Sequence, residues 1–181
     1  MKFRILAAAA AFAVSGAAHA ALLDGETLNY QYFFADLGSP YGNAPNGDYV
    51  VGAGVEIVNF VDGHAGDIDI SDTQISVEFT QVSFSGGSFN GFRLMDVLGS
   101  IDSFASVTID ASSTAAIDAG RVSFDGDNVW VNFQSLSFNA GETLVLNVNG
   151  VNAVPEPETY ALMLLGLAGV GAMVRRRRHS A

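Results

Sequence analysis

The sequence predicts an all-β domain: an antiparallel β-sandwich, jelly-roll or immunoglobulin-like, of eight or nine strands between two apolar termini. Apolar and polar residues alternate with a period of two in several short segments. Turn-forming residues separate these segments every eight to twelve residues. No segment before residue 154 sustains an apolar stripe of helical period. A closed barrel fits the same pattern and remains an alternative.

The N-terminus has the organisation of a secretory signal peptide, assigned to residues 1–20. Lys2 and Arg4 form a charged region, and residues 5–14 form an apolar region. That region is far shorter than the ~20 residues of a membrane span, which disfavours an uncleaved anchor. We therefore expect export and cleavage by signal peptidase before a mature N-terminus. The residues that fit the small-x-small cleavage rule are Ala18 and Ala20, followed by Ala21 as the first mature residue.

The segment 21–153 is strongly acidic and has the length of a single domain with its own core. Its two basic residues, Arg93 and Arg121, stand against seventeen acidic ones, so its formal net charge is −15. Such a charge repels nucleic acid and anionic lipid head groups, so neither is expected as a partner. The chain has no cysteine, which excludes disulfides, cysteine zinc sites and thiol catalysis.

The strands are predicted in order along this segment. The first is 27–34, followed by a Gly- and Pro-rich loop over 37–48. A long strand over 49–60 has Gly52 and Gly54 as candidate bulge positions. The next predicted strands are 67–70 and 75–79, the latter with a continuation to 82–84, then a weaker strand over 91–97 that could be an edge, and 106–110.

The clearest hairpin of the sequence surrounds Asp125-Gly126-Asp127. Its strands are 121–124 and 128–133, and Val122 and Phe124 are expected on one face with Val129, Val131 and Phe133. The small, polar stretch 112–120 before it is predicted as a loop or helical turn. Leu136 and Phe138 follow the hairpin, and 143–148 is the last strand.

Catalytic chemistry has little support, so we expect a protein that is not an enzyme. His64 is the one histidine of the segment 21–153, and no Gly-x-Ser-x-Gly elbow accompanies it. A solvated turn residue is the favoured interpretation of His64. No resident cofactor is expected, although calcium prefers carboxylate oxygens and two acidic clusters could offer them. The calcium candidates are Asp62, Asp67, Asp69 and Asp72 in one cluster and Asp125 and Asp127 in the other. A solvent-facing strand and a tight turn explain the same aspartates without metal.

Exposed aromatic side chains could bind carbohydrate. Trp130 is out of phase with Val129 and Val131, so it faces away from the core, where its ring could stack on a sugar. Cover by the loop 112–120 is the favoured interpretation of Trp130. The accompanying aromatic candidates are Tyr30, Tyr32, Tyr41 and Tyr49.

The C-terminal segment 154–181 has three physically different parts in a fixed order. A Pro-Glu-Pro stretch over 154–159 cannot join a helix interior, an apolar run follows over 160–174, and four arginines end it over 175–178. As a helix, the apolar run is about 22 Å long against a hydrocarbon core of ~30 Å. It is therefore predicted as a short transmembrane helix suited to temporary residence, with a basic cytoplasmic tail over 175–181.

This order and composition resemble the PEP-CTERM sorting signal of Gram-negative bacteria, which the membrane transpeptidase exosortase processes. An ordinary tail anchor is the alternative. By this resemblance, the sorting motif consists of Val154, Pro155, Glu156, Pro157 and Thr159, and the membrane stop consists of Arg175, Arg176, Arg177 and Arg178. The resemblance implies transient contact with exosortase, temporary anchoring in the inner membrane with the domain on the periplasmic side, and then transfer to the cell surface or extracellular matrix. It also implies an association with exopolysaccharide and biofilm. A carbohydrate-binding module, stabilised by calcium or not, is the alternative function.

Overall fold

The computed structural model describes residues 22–101 and 103–150, which form twelve strands and one short 3-10 helix, Ala119–Arg121. The strands are β1 Thr27–Ala35, β2 Gly47–Val50, β3 Val55–Ile57, β4 Gly66–Ile70, β5 Gln74–Phe79, β6 Val82–Ser83, β7 Phe89–Asp96, β8 Phe104–Ile109, β9 Val122–Phe124, β10 Asn128–Asn132, β11 Ser137–Phe138 and β12 Thr143–Gly150. The expected number of eight or nine strands is too low, because several strands have only two to four residues.

The strands form two five-stranded sheets and one small sheet. Sheet I has the order β2-β1-β7-β10-β9, sheet II has the order β3-β4-β5-β12-β8, and β11 pairs with β6 in sheet III. Every strand pair is antiparallel. The predicted all-β class and antiparallel sandwich are therefore confirmed, with open sheets rather than a closed barrel in the part described.

The core lies between sheets I and II because each strand turns alternate residues inward. Sheet I contributes Tyr30, Phe92 and Val131, and sheet II contributes Ile68 and Leu146, all fully buried in one cluster. Phenylalanines extend this cluster to sheet III. The ring of Phe133, just after β10, lies 5.0 Å from Phe84, 5.3 Å from Phe79 and 5.8 Å from Phe92, centroid to centroid.

The predicted strand over 49–60 is wrong, because the chain changes sheets there. Strand β2 ends at Val50 in sheet I, and β3 begins at Val55 in sheet II. Gly54 has a φ of 118°, a conformation that glycine adopts without the steric cost of a side chain. The glycines that sequence reasoning assigned to bulges therefore form the crossover between the two layers.

The predicted edge position of 91–97 is also wrong, since β7 lies at the centre of sheet I between β1 and β10. At Gly91 the neighbouring strand approaches so closely that a Cβ would overlap the carbonyl oxygen of Val131 and lie 2.9 Å from its carbon. The expected continuation of β5 through 82–84 is a third difference, because β6 leaves sheet II and pairs with β11.

The hairpin over 121–133 is confirmed. Val129 pairs with Phe124 and Val131 pairs with Val122, so these four residues share one face as expected. Stretch 112–120 is a loop that ends in the 3-10 helix. Among the residues that the structure describes, no helix is long and apolar enough to cross a membrane. The predicted signal helix and the helix over 160–174 lie outside those residues.

Candidate functional site

The predicted sorting and cleavage residues lie outside the described part of the chain. They are Ala18, Ala20 and Ala21 at one end and Val154, Pro155, Glu156, Pro157, Thr159 and Arg175 to Arg178 at the other. The described domain presents two other candidate sites, a cleft beside the loop before β4 and the outer face of sheet I.

The cleft has a volume of about 300 Å³ and brings together residues distant in sequence. Asp62 and His64 line it from the loop before β4, Tyr32 and Asn90 from sheet I, and Ser85 from the segment after β6. Its wall mixes aromatic carbon with hydroxyl, amide and carboxylate groups, a composition typical of small-ligand sites.

Asp62 adopts a left-handed backbone conformation, with a φ of 53°, that its neighbours hold in place. Its amide donates to the carbonyl oxygen of Asn43 at 2.9 Å. One carboxylate oxygen of Asp62 accepts hydrogen bonds from the Tyr41 hydroxyl at 2.9 Å and the Asn43 amide at 2.6 Å. The hydrogen bond to Asp62 raises the pKa of Tyr41.

Tyr32 and Asn90 form a buried polar pair beside the cleft. The Tyr32 hydroxyl donates to Asn90 Oδ1 at 2.8 Å, and Asn90 Nδ2 donates to the carbonyl oxygen of Ser85 at 3.0 Å. Burial, with a smaller contribution from the charge of Asp62, raises the pKa of Tyr32 well above its ordinary value. Tyr32 is therefore a neutral hydrogen-bond donor at physiological pH.

His64 is an exposed turn residue, as the favoured interpretation has it. Its Nδ1 lies 2.8 Å from the carbonyl oxygen of Asp62 rather than against a carboxylate. Ser83, which also lines the cleft, pairs its hydroxyl with that of Ser137 at 2.9 Å. Among the described residues, the side-chain hydrogen bonds do not connect a serine to His64.

Three of the aspartates proposed as calcium ligands accept hydrogen bonds from backbone amides. Asp67 accepts from the amide of Asn59 at 2.7 Å, Asp72 from that of Leu23 at 3.3 Å, and Asp125 from those of Asp127 and Asn128. Asp69 is exposed on β4. Within residues 22–101 and 103–150, no three acidic or histidine side chains lie close enough to share a metal ion. Calcium binding stays a prediction without a ligand cluster in this region.

The aromatic residues divide into two groups. Tyr30 and Tyr32 cannot form an exposed platform, because they are 0% and 1% exposed in the core. Tyr41 and Tyr49 are half-buried, and the hydroxyl of Tyr49 donates to the carbonyl oxygen of Pro45 at 2.6 Å. Trp130 is half-buried on the outer face of sheet I, where its phase against Val129 places it.

A row of paired residues crosses the outer face of sheet I at Trp130. Trp130 lies opposite Ser123 on one side and Arg93 on the other, and Arg93 lies opposite Gln31. The Arg93 guanidinium lies 5.7 Å from the ring centroid of Phe33, a cation–π contact, and its Nη2 donates to Asn29 Oδ1 at 3.4 Å.

The loop 112–120, which sequence reasoning favours as the cover for Trp130, is hydrogen-bonded to sheet II. Ser113 exchanges hydrogen bonds with the backbone of Val145 at 2.9 and 3.2 Å, and Thr114 donates to the carbonyl oxygen of Thr143 at 2.9 Å. The 3-10 helix at its end lies beside β10. These hydrogen bonds hold the first half of the loop against β12, on the other layer of the sandwich.

Sequence reasoning missed Arg93 and Asn90 as members of these sites. Asn29 and Asn128, which lie opposite Met95 on the outer face of sheet I, were missed for the same reason. All of them depend on which strands are neighbours, and that pairing joins residues more than thirty positions apart. The sequence feature that could have indicated them is the alternation of polar with apolar residues along β1, β7 and β10.

One comparison with known proteins identifies a segment of the chain. Residues 153–178 match the family model described as the PEP-CTERM protein-sorting motif. No curated protein and no solved structure matches the chain.

Proposed function

Because the chain carries a PEP-CTERM protein-sorting motif over residues 153–178, we propose that it is a non-enzymatic protein of the cell surface or extracellular matrix. The motif itself implies export, exosortase processing and sorting to the cell envelope. In this proposal, signal peptidase cleaves before Ala21, and the segment 160–174 anchors the chain in the inner membrane until exosortase acts. The protein then associates with exopolysaccharide in the biofilm of a Gram-negative bacterium.

The position of the motif is the observation that supports this proposal. Strand β12 ends at Gly150, and the matched segment begins at residue 153, directly after the described domain. All described strands therefore precede the segment that exosortase processing would remove.

Intact-mass analysis of the exported protein tests the sorting. In a host with active exosortase, we expect a mature N-terminus at Ala21 and a C-terminus near residues 155–157. Replacement of Glu156 by Ala is the matched variant, and it should leave the tail attached without changing the domain. A mass that includes Arg178 in the unsubstituted protein would contradict the proposal.

Carbohydrate binding is the second candidate function. The observation that favours it is the half-buried Trp130 beside Arg93 on the outer face of sheet I. A binding domain of this kind would explain how a released surface protein stays with the polysaccharide. It needs neither a catalytic residue nor a metal ion.

A further inference from the structure

We propose that the outer face of sheet I binds a neutral glycan chain, with Trp130, Arg93 and Asn132 as its principal contacts. This inference rests on the proposed association with exopolysaccharide and names the site and the class of sugar. The face is defined here by Asn29, Gln31, Phe33, Arg93, Met95, Asn128, Trp130 and Asn132, the outward residues of the three central strands.

Trp130 supplies the apolar surface of this site. It is an aromatic ring on a central strand, held by backbone pairing on both sides, so little conformational entropy is lost when a ligand packs on it. A pyranose ring has an apolar face of C–H groups and an edge of hydroxyls. The indole of Trp130 can pack against the C–H face, while polar neighbours form hydrogen bonds with the hydroxyls.

Arg93 has a hydrogen-bond donor that the protein does not use. Its Nε is buried and has no partner among the described residues, and its Nη2 reaches Asn29 only at 3.4 Å. An unsatisfied buried donor is rare in folded proteins and calls for a partner. Because this Nε is itself buried, a sugar oxygen reaches it only when the half-buried Arg93 side chain moves outward, which among the described residues breaks no side-chain hydrogen bond shorter than the 3.4 Å one to Asn29.

The amide groups of the face match hydroxyls, which both donate and accept. Asn132 Oδ1 accepts hydrogen bonds from the backbone amides of Asn90 at 3.1 Å and Gln134 at 3.0 Å, which fixes the Asn132 side chain. Its Nδ2 has no partner in the described part of the chain, so two donors are presented in a fixed position. Arg121 closes the same end of the face, where its Nη1 donates to the carbonyl oxygen of Gln134 at 2.7 Å.

Charge argues for a neutral glycan rather than an acidic one. The segment 21–153 has a formal net charge of −15, which disfavours the approach of a polyanion. Arg93 donates to the side-chain oxygen of Asn29, and Arg121 donates to the backbone carbonyl oxygens of Asn132 and Gln134. Asp48, on the edge strand β2, brings a carboxylate to this face because it lies opposite Asn29. Two cations cannot offset that field, but their donors can bind neutral oxygens.

The outer face of sheet II is a natural comparison. Its paired rows contain Asp67 with Glu78 and Asp69 with Ser76, and none of the paired outward residues is aromatic. Thr108 lies on this face and is exposed. Replacement of Thr108 by Ala therefore removes an exposed side chain from the outer face of sheet II and leaves the outer face of sheet I unchanged.

Sedimentation with insoluble polysaccharide tests the site, using the processed protein recovered from its host. The probes are an insoluble neutral β-glucan and, in a separate arm, calcium-gelled alginate as the acidic glycan. We expect binding to the neutral glucan that is insensitive to salt. Trp130→Ala should weaken it about ten-fold or more, while Trp130→Phe and Thr108→Ala bind nearly as the parent does.

Arg93→Lys separates donor geometry from charge, because lysine keeps the charge and loses the guanidinium Nε. We expect it to weaken binding, and full binding by this variant would overturn the role of Arg93. Binding to alginate alone, lost with added salt, would overturn the neutral class. If the unsubstituted protein is cleaved near residues 155–157 but sediments with neither probe, the site is wrong while the sorting proposal stands.

Discussion

The Tyr32 hydroxyl shows how one buried polar group can determine the behaviour of the domain in alkali. It donates to Asn90 Oδ1 at 2.8 Å inside the core, and Asn90 is itself only 5% exposed. Tyr30, whose pKa is also raised by burial, donates to the carbonyl oxygen of Phe60 at 2.6 Å. Both phenols must stay protonated in the folded state.

We therefore expect the free energy of unfolding to fall above about pH 10. In the unfolded chain a tyrosine ionises near its ordinary pKa of 10.0, whereas the folded domain retains the proton of Tyr32. The stabilisation is fully present below that pH and is lost as the pH rises. Urea unfolding at a series of pH values from about 8 to about 11 measures this dependence.

Tyr32→Phe is the matched variant for this measurement. It should cost about 1–3 kcal/mol at neutral pH, because Asn90 Oδ1 loses its buried donor. Above about pH 10 its stability should decline less steeply than that of the parent, since one titrating group is gone. An unchanged slope would mean that Tyr32 does not contribute to the alkaline transition.

At the scale of elements, the β9–β10 hairpin is held by its turn. Asp125 Oδ1 accepts from the amides of Asp127 at 2.9 Å and Asn128 at 2.8 Å and from Asn128 Nδ2 at 2.9 Å. The pKa of Asp125 is lowered, and the hydrogen bond from the Asn128 side chain is the largest cause. Because this carboxylate favours its charged form, the hairpin should weaken as the pH falls below about 4.

Asp125→Ala should destabilise the domain by about 1 kcal/mol at neutral pH, a modest amount because the turn is exposed. Asp127→Ala, one position beyond Gly126, should change stability by less than about 0.5 kcal/mol. Chemical denaturation of both variants provides the comparison. Equal losses would show that the turn depends on net charge rather than on the Asp125 hydrogen bonds.

The strands with strict alternation could be predicted from sequence, as β4, β5 and β8 illustrate, because one buried face dictates their period. The central position of β7 could not, since its pairing joins Leu28 to Asp96 across most of the domain. The switch between sheets after Val50 could not either, because glycines serve bulges and crossovers alike. The cleft at Asp62 depends on such long-range pairings and leaves no local pattern.

At the scale of the whole molecule, acidity sets the response to ions. The formal charge of −15 over residues 21–153 favours expansion through self-repulsion, which salt screens. Raising NaCl from about 20 mM to about 200 mM should therefore raise the melting temperature. Calcium and magnesium at equal ionic strength should raise it equally, and a larger effect of calcium would reveal a specific site.

The position of β12 has a mechanical consequence for the C-terminus that processing leaves. This last strand lies between β5 and β8, hydrogen-bonded on both sides, and residues 151 and 152 separate it from the sorting motif. A pull on the processed end along the strand axis would load the backbone hydrogen bonds of β12 in shear, so that many must break together rather than one after another. The strand next to the processed end is thus held by both of its neighbours.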